Sequence, residues 1–363
     1  MQQLFSHTPL GRSAVGTVVL TIPVVLVVVV SSLTMGGVGV QLATNMLISM
    51  IAVIGFQVYS GNTGIMTFGH AAFMGVAAYV SGLLTAPAAV KASILPNLPA
   101  WLRDIELPLF AAMAVTVVVV LAMACLFGLP FARLSAAATP IATFTMLLIT
   151  YIVLVGAKDF TRGSETFYGL PNAVTLGVAL SCVVVAIFVA RWFKDSIPGL
   201  RIQATREDEL AARSAGINVA RVRFIAWALS AVIVSVAGVL LAHELTAFSP
   251  KQFYISLQFM LVAMLVVGGQ STVTGAVFGT ILVSGLLEVA RRVEIALNNG
   301  GMAGGGSNVF GLQEITLGLL ILAVMFLRRD GLFAFTEIDT WMREKWAIRR
   351  DTTPRQEGVK HAG

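Results

Sequence analysis

Residues 199–223, GLRIQATREDELAARSAGINVARVR, form the most strongly charged segment of a chain that is otherwise mostly apolar. A long hydrophobic run lies on each side of it. Charged side chains are costly to place in a bilayer, so we expect this segment to be an aqueous loop at the membrane surface. Its charged residues are Arg201, Arg206, Glu207, Asp208, Glu209, Arg213, Arg221 and Arg223.

The composition of the whole chain indicates an integral membrane protein. Of its 363 residues, 57% are hydrophobic and only 12% are charged, and the mean hydropathy is +0.88. A soluble domain of this size would need a much larger polar surface. The net charge of +6 does not predict a nucleic-acid partner, because the basic residues collect in loops and in the tail.

Ten apolar segments have roughly the length of a membrane-spanning helix, which needs about 20 residues. Because unpaired backbone groups are costly in lipid, these segments predict an all-α bundle of about ten spans. With the N-terminus inside, 17 of the 24 basic residues fall in inner segments, which favours cytoplasmic N- and C-termini. The approximate bounds are 16–34, 38–59, 63–85, 107–129, 136–156, 174–193, 220–242, 253–268, 272–290 and 312–327.

Two glycine-rich stretches interrupt this pattern: residues 60–82, SGNTGIMTFGHAAFMGVAAYVSG, and residues 266–280, VVGGQSTVTGAVFGT. Broken or re-entrant helices are tolerated at membrane depth where they line a wet cavity, but glycines also allow close helix packing, and both interpretations remain open. The role of His70 is also open. A histidine inside a membrane segment is a candidate functional residue, but a neutral imidazole would equally well hydrogen-bond a broken helix to a neighbouring carbonyl. Candidate groups for a substrate pathway are Asn62, Thr63, Thr67, His70, Phe73, Gln270, Ser271 and Thr272.

The charged loop has features of a helix that binds another protein. Glu209 and Arg213 stand at i,i+4 in the favourable order, and Gly216 is expected to end the helix. A solvated loop could share this composition, but a docking helix explains more of it. The residues expected to contact the partner are Glu207, Asp208, Glu209, Ala211, Ala212, Arg213 and Gly216.

The sequence contains no GxxxxGK[ST] phosphate loop, no HExxH or GxSxG motif and no Cys/His cluster, so it predicts neither a catalytic nor a metal site. Few ionisable residues lie within the spans, chiefly His70, Glu288 and Glu314. This scarcity counts against an ion-coupled carrier. A secondary carrier or channel, and a membrane scaffold or sensor, nevertheless remain alternative functions.

The run SIPGLRIQATREDELAARSAGINVARVRFIAWALSAVIVSVAGVL resembles the signature of LivM-type permeases of branched-chain (hydrophobic) amino acid ABC transporters. SGNTGIMTFGHAAFMGVAAYVSGLL, MLVVGGQSTVTGAVFGTILV and FLRRDGLF are similar to three further blocks of that family, in the same order. The resemblance covers roughly residues 40 to 335. The chain departs from the pattern at Gly64, where relatives often have a hydrophobic residue, and at Leu210, where the general importer motif has an acidic one.

The resemblance implies a permease subunit of an ATP-driven importer in the bacterial inner membrane. Its expected partners are a homologous second permease, two ABC ATPase subunits that bind ATP and Mg, and a periplasmic binding protein; this chain would bind no cofactor itself. Its family transports branched-chain amino acids, and relatives transport urea, short amides or aromatic acids. We expect residues 1–335 to form the permease domain, with the coupling loop at 199–219, and residues 336–363 to form a cytoplasmic tail.

Overall fold

The computed structural model of the chain describes residues 9–299, 311–327, 331–333 and 337. The fold is an all-α membrane bundle, as predicted. In chain order its helices are α1 Pro9–Thr63, α2 His70–Thr85, α3 Ala88–Ile94, α4 Ala100–Arg103, α5 Leu109–Phe131, α6 Ala138–Gly156, α7 Lys158–Thr161, α8 Leu176–Asp195, α9 Ile197–Glu207, α10 Glu209–Ser214, α11 Val219–Leu245, α12 Ile255–Gly268, α13 Val273–Asn299 and α14 Leu312–Leu327.

A small antiparallel sheet and a 3-10 turn accompany these helices. Strand β1, Phe167–Tyr168, pairs with strand β2, Ala247–Phe248. The 3-10 turn, Pro250–Phe253, leads into α12. The sheet ties the loop before α8 to the loop after α11, where the rings of Phe167 and Phe248 stack 5.6 Å apart.

Helix α1 folds back on itself at Gly36, whose backbone has φ +57° and ψ −134°. The Ser31 hydroxyl donates to the Gly39 carbonyl at 3.0 Å, although eight residues of straight helix would span about 12 Å. Glycine reaches this conformation without the steric cost that a side chain would add. The element therefore contains two limbs, which correspond to the predicted spans 16–34 and 38–59.

Among the described residues, seven helices are long and apolar enough to cross a membrane, or eight if the bent pair α2–α3 counts as one span. This count treats α1 as one helix. All ten predicted apolar segments coincide with helical segments, but α2 and α14 have only 16 residues each. The prediction of about ten spans is therefore matched only approximately.

Helix α5 shows how the bundle packs. Its small residues recur every four positions and are buried, whereas Val118 and Leu126 are 65% and 70% exposed. This is the arrangement expected in lipid, where small residues let helices approach and large apolar ones face the hydrocarbon. Gly128 lies against the Trp227 ring of α11. The buried stripe consists of Ala112, Thr116, Val120, Ala124 and Gly128.

The second limb of α1 and helix α11 form the centre of the bundle. Trp227 of α11 is 2% exposed and lies edge-on to three phenylalanine or tyrosine rings. Their centroids are 5.2 to 5.7 Å from that of Trp227, within the range of favourable aromatic pairs. The cluster joins α1, α2, α5 and α11. The three partner rings are Tyr59, Phe73 and Phe131.

Candidate functional site

The first glycine-rich stretch breaks the helix at residues 64–69. Helix α1 ends at Thr63, Gly64 takes a left-handed φ of +71°, and α2 starts at His70. The Asn62 amide donates to Val58 O at 2.9 Å, and the Thr63 hydroxyl donates to Tyr59 O at 2.8 Å. In this conformation both side chains therefore hydrogen-bond to carbonyls in the last turns of α1, and neither extends into an open channel.

His70 connects three segments across the break and is fully buried. Its Nε2 lies 2.6 Å from the Ser230 hydroxyl, which donates its own proton to Gly55 O at 2.7 Å. Nε2 must therefore carry a proton and donate it, and Nδ1 accepts from the Thr67 hydroxyl at 3.0 Å. Phe73, one turn further along α2, is also buried. This geometry favours a structural role for His70, as a latch that holds the first break to α11.

We predict that Ser230→Ala lowers the free energy of unfolding by about 1–3 kcal/mol, because it leaves the buried His70 N–H without an acceptor. Thermal unfolding of the detergent-purified chain measures this. Ser235→Ala on the same helix is the matched control, since Ser235 bonds only locally to Val232 O. Equal effects of the two substitutions would contradict the latch.

The second glycine-rich stretch breaks the helix between Gly268 and Val273. Gly269 has φ +109°, and the Thr272 hydroxyl caps α13 by accepting from Gly275 N at 2.9 Å. Residues 331–333, at the end of the FLRRDGLF block, lie at this break, where Phe333 N donates to Gly268 O at 2.9 Å. The Thr272 hydroxyl also donates to Phe333 O. This three-residue segment is thus part of the second break.

The two breaks meet at Gly61, which has no room for a Cβ because the Gln270 carbonyl oxygen lies against it. This end of the bundle is called the break end below, and the end that holds Gly36 is called the hairpin end. Several buried polar atoms near the junction have no hydrogen-bond partner among the described residues. Each such atom costs roughly 1–3 kcal/mol. They are Gln57 Oε1 and Nε2, Ser60 Oγ, Asn62 Oδ1 and Gln270 Oε1.

The charged loop contains two short helices, not the single helix that the sequence suggested. Asp208 interrupts the helical backbone, and its carboxylate caps α10 by accepting from Leu210 N at 2.8 Å and Ala211 N at 3.0 Å. Aspartate favours such N-cap positions over helix interiors. Gly216, with φ +82°, ends α10 as predicted: its own N–H donates to the Arg213 carbonyl, and that of the next residue donates to Ala212 O.

Glu209 anchors α10 to α11. Its carboxylate accepts from Arg213 and Arg223, each at 2.7 Å. The Arg213 hydrogen bond, together with the charge and hydrogen bond of Arg223, lowers the pKa of Glu209. Ala212 is buried beneath the loop. The other predicted partner contacts are exposed: Glu207, Asp208, Ala211, Arg213 and Gly216.

Arg206 links the loop to the first break, and sequence reasoning did not single it out. Its Nη1 donates to Gly61 O at 2.9 Å, and its aliphatic stem packs against Gly64. The two residues of the hydrogen bond are 145 positions apart. No local sequence pattern predicts such a contact. Gly64 makes room for it, because a Cβ at this position would collide with the arginine stem.

Glu337 forms a second feature that the sequence did not reveal, inside the segment expected to be a cytoplasmic tail. Its carboxylate lies 2.8 Å from Arg191 and 2.7 Å from Lys194, and it accepts from the backbone N–H of Val273 and from Thr274. Burial alone would raise the pKa of Glu337, but the two cations lower it to about 2. Residues 338–363 lie outside the described part of the chain.

The groups gathered at the break end are hydroxyls, amides, one imidazole and ion pairs. They suit hydrogen bonding and hinge movement. Within the described residues, no group of three or more His, Cys, Asp or Glu could hold a metal ion. Cys125 and Cys182 are unpaired and half-buried, in α5 and α8.

Comparison with known proteins places these features in a family. A family model described as the permease component of the branched-chain amino acid transport system matches residues 38–327. The permease LivM of Escherichia coli K12, from a high-affinity branched-chain amino acid transport system, is 26% identical over 331 residues, which cover 82% of this chain and 70% of LivM. LivM of Salmonella typhimurium LT2 is 25% identical over the same shares.

Sugar permeases are also similar, over shorter regions. The L-arabinose transport system permease AraH of E. coli K12 is 30% identical over 174 residues, which cover 46% of this chain and 51% of AraH. No solved structure matches. The family match includes the charged loop, both breaks and most of the membrane helices. The chain is therefore a multi-pass membrane protein and belongs to the family of branched-chain amino acid transport system permease components.

Proposed function

We propose that this chain is one permease subunit of an ATP-driven importer of hydrophobic amino acids, and that residues 199–216 receive the movement of an ATPase partner. The observation that carries this proposal is the hydrogen bond from Arg206 to Gly61 O. Through it, the exposed loop is attached to the first break. A displacement of α9 would therefore pull on the point where the two breaks meet.

The polar groups at the junction support this mechanism. The junction holds buried polar atoms that lack hydrogen-bond partners within the described residues, including both amide atoms of Gln57 and Oε1 of Gln270. Water or substrate can satisfy these groups if the breaks separate, which offsets part of the free energy lost with the packing. The breaks would then act as hinges between a closed and an open state.

The exposed face of the loop suits a protein partner. Leu210 is 78% exposed, and Leu200 and Ile197 are 57% and 66% exposed. Exposed charged side chains, among them Glu207 and Arg213, lie on the same two short helices. Protein interfaces combine apolar and polar groups in this way. Leu210, the departure from the family pattern, would therefore be an apolar contact.

The full assembly that we propose follows the family. It comprises this chain, a homologous permease, two ATPase subunits that hold ATP and Mg, and a periplasmic binding protein, in an inner membrane. The break end and both termini would face the cytoplasm. Hydrophobic amino acids are the proposed substrates because the similar LivM proteins are permeases of branched-chain amino acid transport systems. A secondary carrier or channel is the alternative, and its transport would continue without the ATPase.

Cross-linking from Leu210→Cys, in a background without Cys125 and Cys182, tests the proposed function. We expect it to cross-link to the ATPase subunit of the reconstituted importer, with a yield that differs between ATP and ADP. Ser93→Cys, exposed near the opposite end of α2, is the control and should not cross-link. Labelling of the Leu210→Cys thiol by an impermeant reagent from the periplasmic side would refute the proposed orientation.

Gly216→Val is predicted to uncouple the importer. The space around Gly216 is open, but its φ of +82° costs an L-residue about 1–2 kcal/mol and a β-branched one more. The end of α10 should therefore distort, so that uptake per ATP hydrolysed falls while membrane insertion is retained. Gly177→Val, at an open helical glycine with an ordinary φ, is the control. Normal coupling in Gly216→Val would count against the role of α10.

A further inference from the structure

A groove of about 670 Å³ lies toward the hairpin end of the bundle, away from the junction of the two breaks. It runs between the two limbs of α1, helices α12 and α13, and the start of α14. Met35, beside the fold-back, and Gln313, at the start of α14, lie at its margin. Its volume is within the range of small-molecule sites, about 300–1,000 Å³.

One part of the groove carries both signs of charge. The Glu288 carboxylate accepts from Arg291 at 2.8 and 2.9 Å and from Arg292 at 2.7 Å. The carboxylate side chain is 14% exposed, whereas the arginine side chains are 40% and 50% exposed. The arginine side chains are therefore more exposed than the carboxylate that they bind, and Arg292 Nη2 also lies 2.9 Å from the Met35 sulfur. Arginine forks match a carboxylate ligand well.

The rest of the groove is mostly apolar. Branched and thioether side chains from α1, α12 and α13 form its walls, and their size suits an aliphatic group. Methionine in particular adapts to ligands of different shape. The apolar lining residues include Val27, Leu42, Met46, Met260 and Ile281.

The face of α1 that lines the groove also carries a buried polar group near the break end. Asn45 and Ser49 line the groove. At about 100° per residue, Ser60 falls on the same face of α1, within about 60° of both. Ser60 is one of the buried polar groups at the junction. The groove and the junction of the breaks thus lie along one side of the same helix limb.

We infer that the groove is a binding site for a free α-amino acid with an apolar side chain, an inference that rests on the proposed function. The ligand carboxylate would bind Arg291 and Arg292, and its ammonium group would bind Glu288. Its side chain would lie against the methionines and aliphatic residues of the walls. Ligand access from the hairpin end, with the breaks closed, would correspond to one of the two states of an alternating-access cycle.

The test measures binding of tritiated leucine to the full-length chain, reconstituted with its partner permease in lipid nanodiscs without the binding protein. Gly285→Trp should abolish binding, because Gly285 lines the groove and a Cβ there would meet no atom within 4 Å, which leaves room for the indole to occupy the groove. Gly318→Trp is the matched control, since Gly318 is an exposed helical glycine with open space outside the groove. It should bind leucine like the native chain.

Ligand analogues test the charge assignment. Leucinamide lacks the carboxylate and 4-methylpentanoate lacks the amine, so each should compete at least about tenfold less well than leucine. Arg292→Gln should weaken leucine binding about tenfold. It should also reduce the ratio of the affinity for leucine to the affinity for leucinamide. Lys251→Gln, at an exposed basic residue outside the groove, should change neither.

Unchanged leucine binding in Gly285→Trp would overturn the inference. Equal competition by leucine and 4-methylpentanoate would overturn the assignment of Glu288. A third result would also overturn the inference. If the second permease were lost from Gly285→Trp complexes and the native complex did not bind leucine, the groove would be a subunit interface. ATP-dependent uptake by the native importer is measured separately, so any of these results can occur while the proposed function stands.

Discussion

Glu337→Ala is expected to lower the free energy of unfolding by about 3–5 kcal/mol, because it removes the carboxylate from a buried ion-pair network that holds two cations. Arg191 carries most of this cost, since its side chain is 5% exposed and that of Lys194 is 18% exposed. The substitution also removes the acceptor for the first N–H groups of α13. Chemical denaturation of the purified chain in detergent measures the change.

Two further variants test whether the effect depends on the charge of Glu337 and on its buried position. Glu337→Gln keeps a hydrogen-bonding side chain toward Thr274 but removes the charge, so its effect should be intermediate. Glu165→Ala removes one partner of an exposed ion pair with Arg162 and should have little measurable effect. If Glu337→Ala and Glu165→Ala were equally stable, the buried network would not hold the tail in place.

The contribution of Glu337 should also depend on pH in a defined direction. Its pKa falls from 4.5 to about 2 on folding, so the unfolded chain takes up a proton at higher pH than the folded chain does. The stabilisation is complete above about pH 4.5 and is lost as the pH falls toward 2. The difference in stability between the native chain and Glu337→Ala should shrink across that window, and an unchanged difference would contradict the depressed pKa.

Arg206→Gln is expected to reduce ATP-driven uptake about tenfold while the partner ATPase continues to hydrolyse ATP. Glutamine is too short to keep the bond from α9 to Gly61 O, and a hydrogen bond from a charged donor contributes about 1.5–3 kcal/mol. Arg206 is an exposed residue, so the lower end of that range applies, and 1.4 kcal/mol corresponds to a tenfold change. Uptake and phosphate release are measured together in proteoliposomes.

Arg201→Gln is the matched control for this prediction. Arg201 is an exposed arginine on the same helix and carries the same charge. Its neutralisation tests whether the loop simply needs positive charge at the ATPase interface. If both variants lost uptake to the same extent, the link between α9 and Gly61 would not be the route of coupling.

The sequence predicted the architecture well where the physical cause is local. The length and apolar content of each run define a helix in lipid, and all ten predicted runs coincide with helical segments. Both glycine-rich stretches contain real breaks, at 64–69 and at 269–272, because glycine can take the left-handed conformations found at Gly64 and Gly269. The α-helical fold and the permease family were therefore both within reach of the sequence.

Local signals also explain where the prediction of the loop was wrong. Asp208 is a strong N-cap residue, and it divides the expected single helix into α9 and α10. The alanine-rich composition hid that signal, because alanine favours helix throughout. His70 shows the opposite case, since the sequence left its role open and only Ser230, 160 positions away, identifies it as a latch.

By itself, the sequence determined which segments form apolar helices, which two glycine-rich stretches interrupt the pattern and which loop is charged, because hydropathy and backbone preference act over a few residues. Only the tertiary structure decided that Arg206 contacts Gly61, that Glu337 joins Arg191, and that Glu288 faces an apolar groove. Such contacts join residues that are far apart in the chain, and a residue's chemistry specifies the kind of partner it needs without specifying which one. Packing of the helices makes that choice.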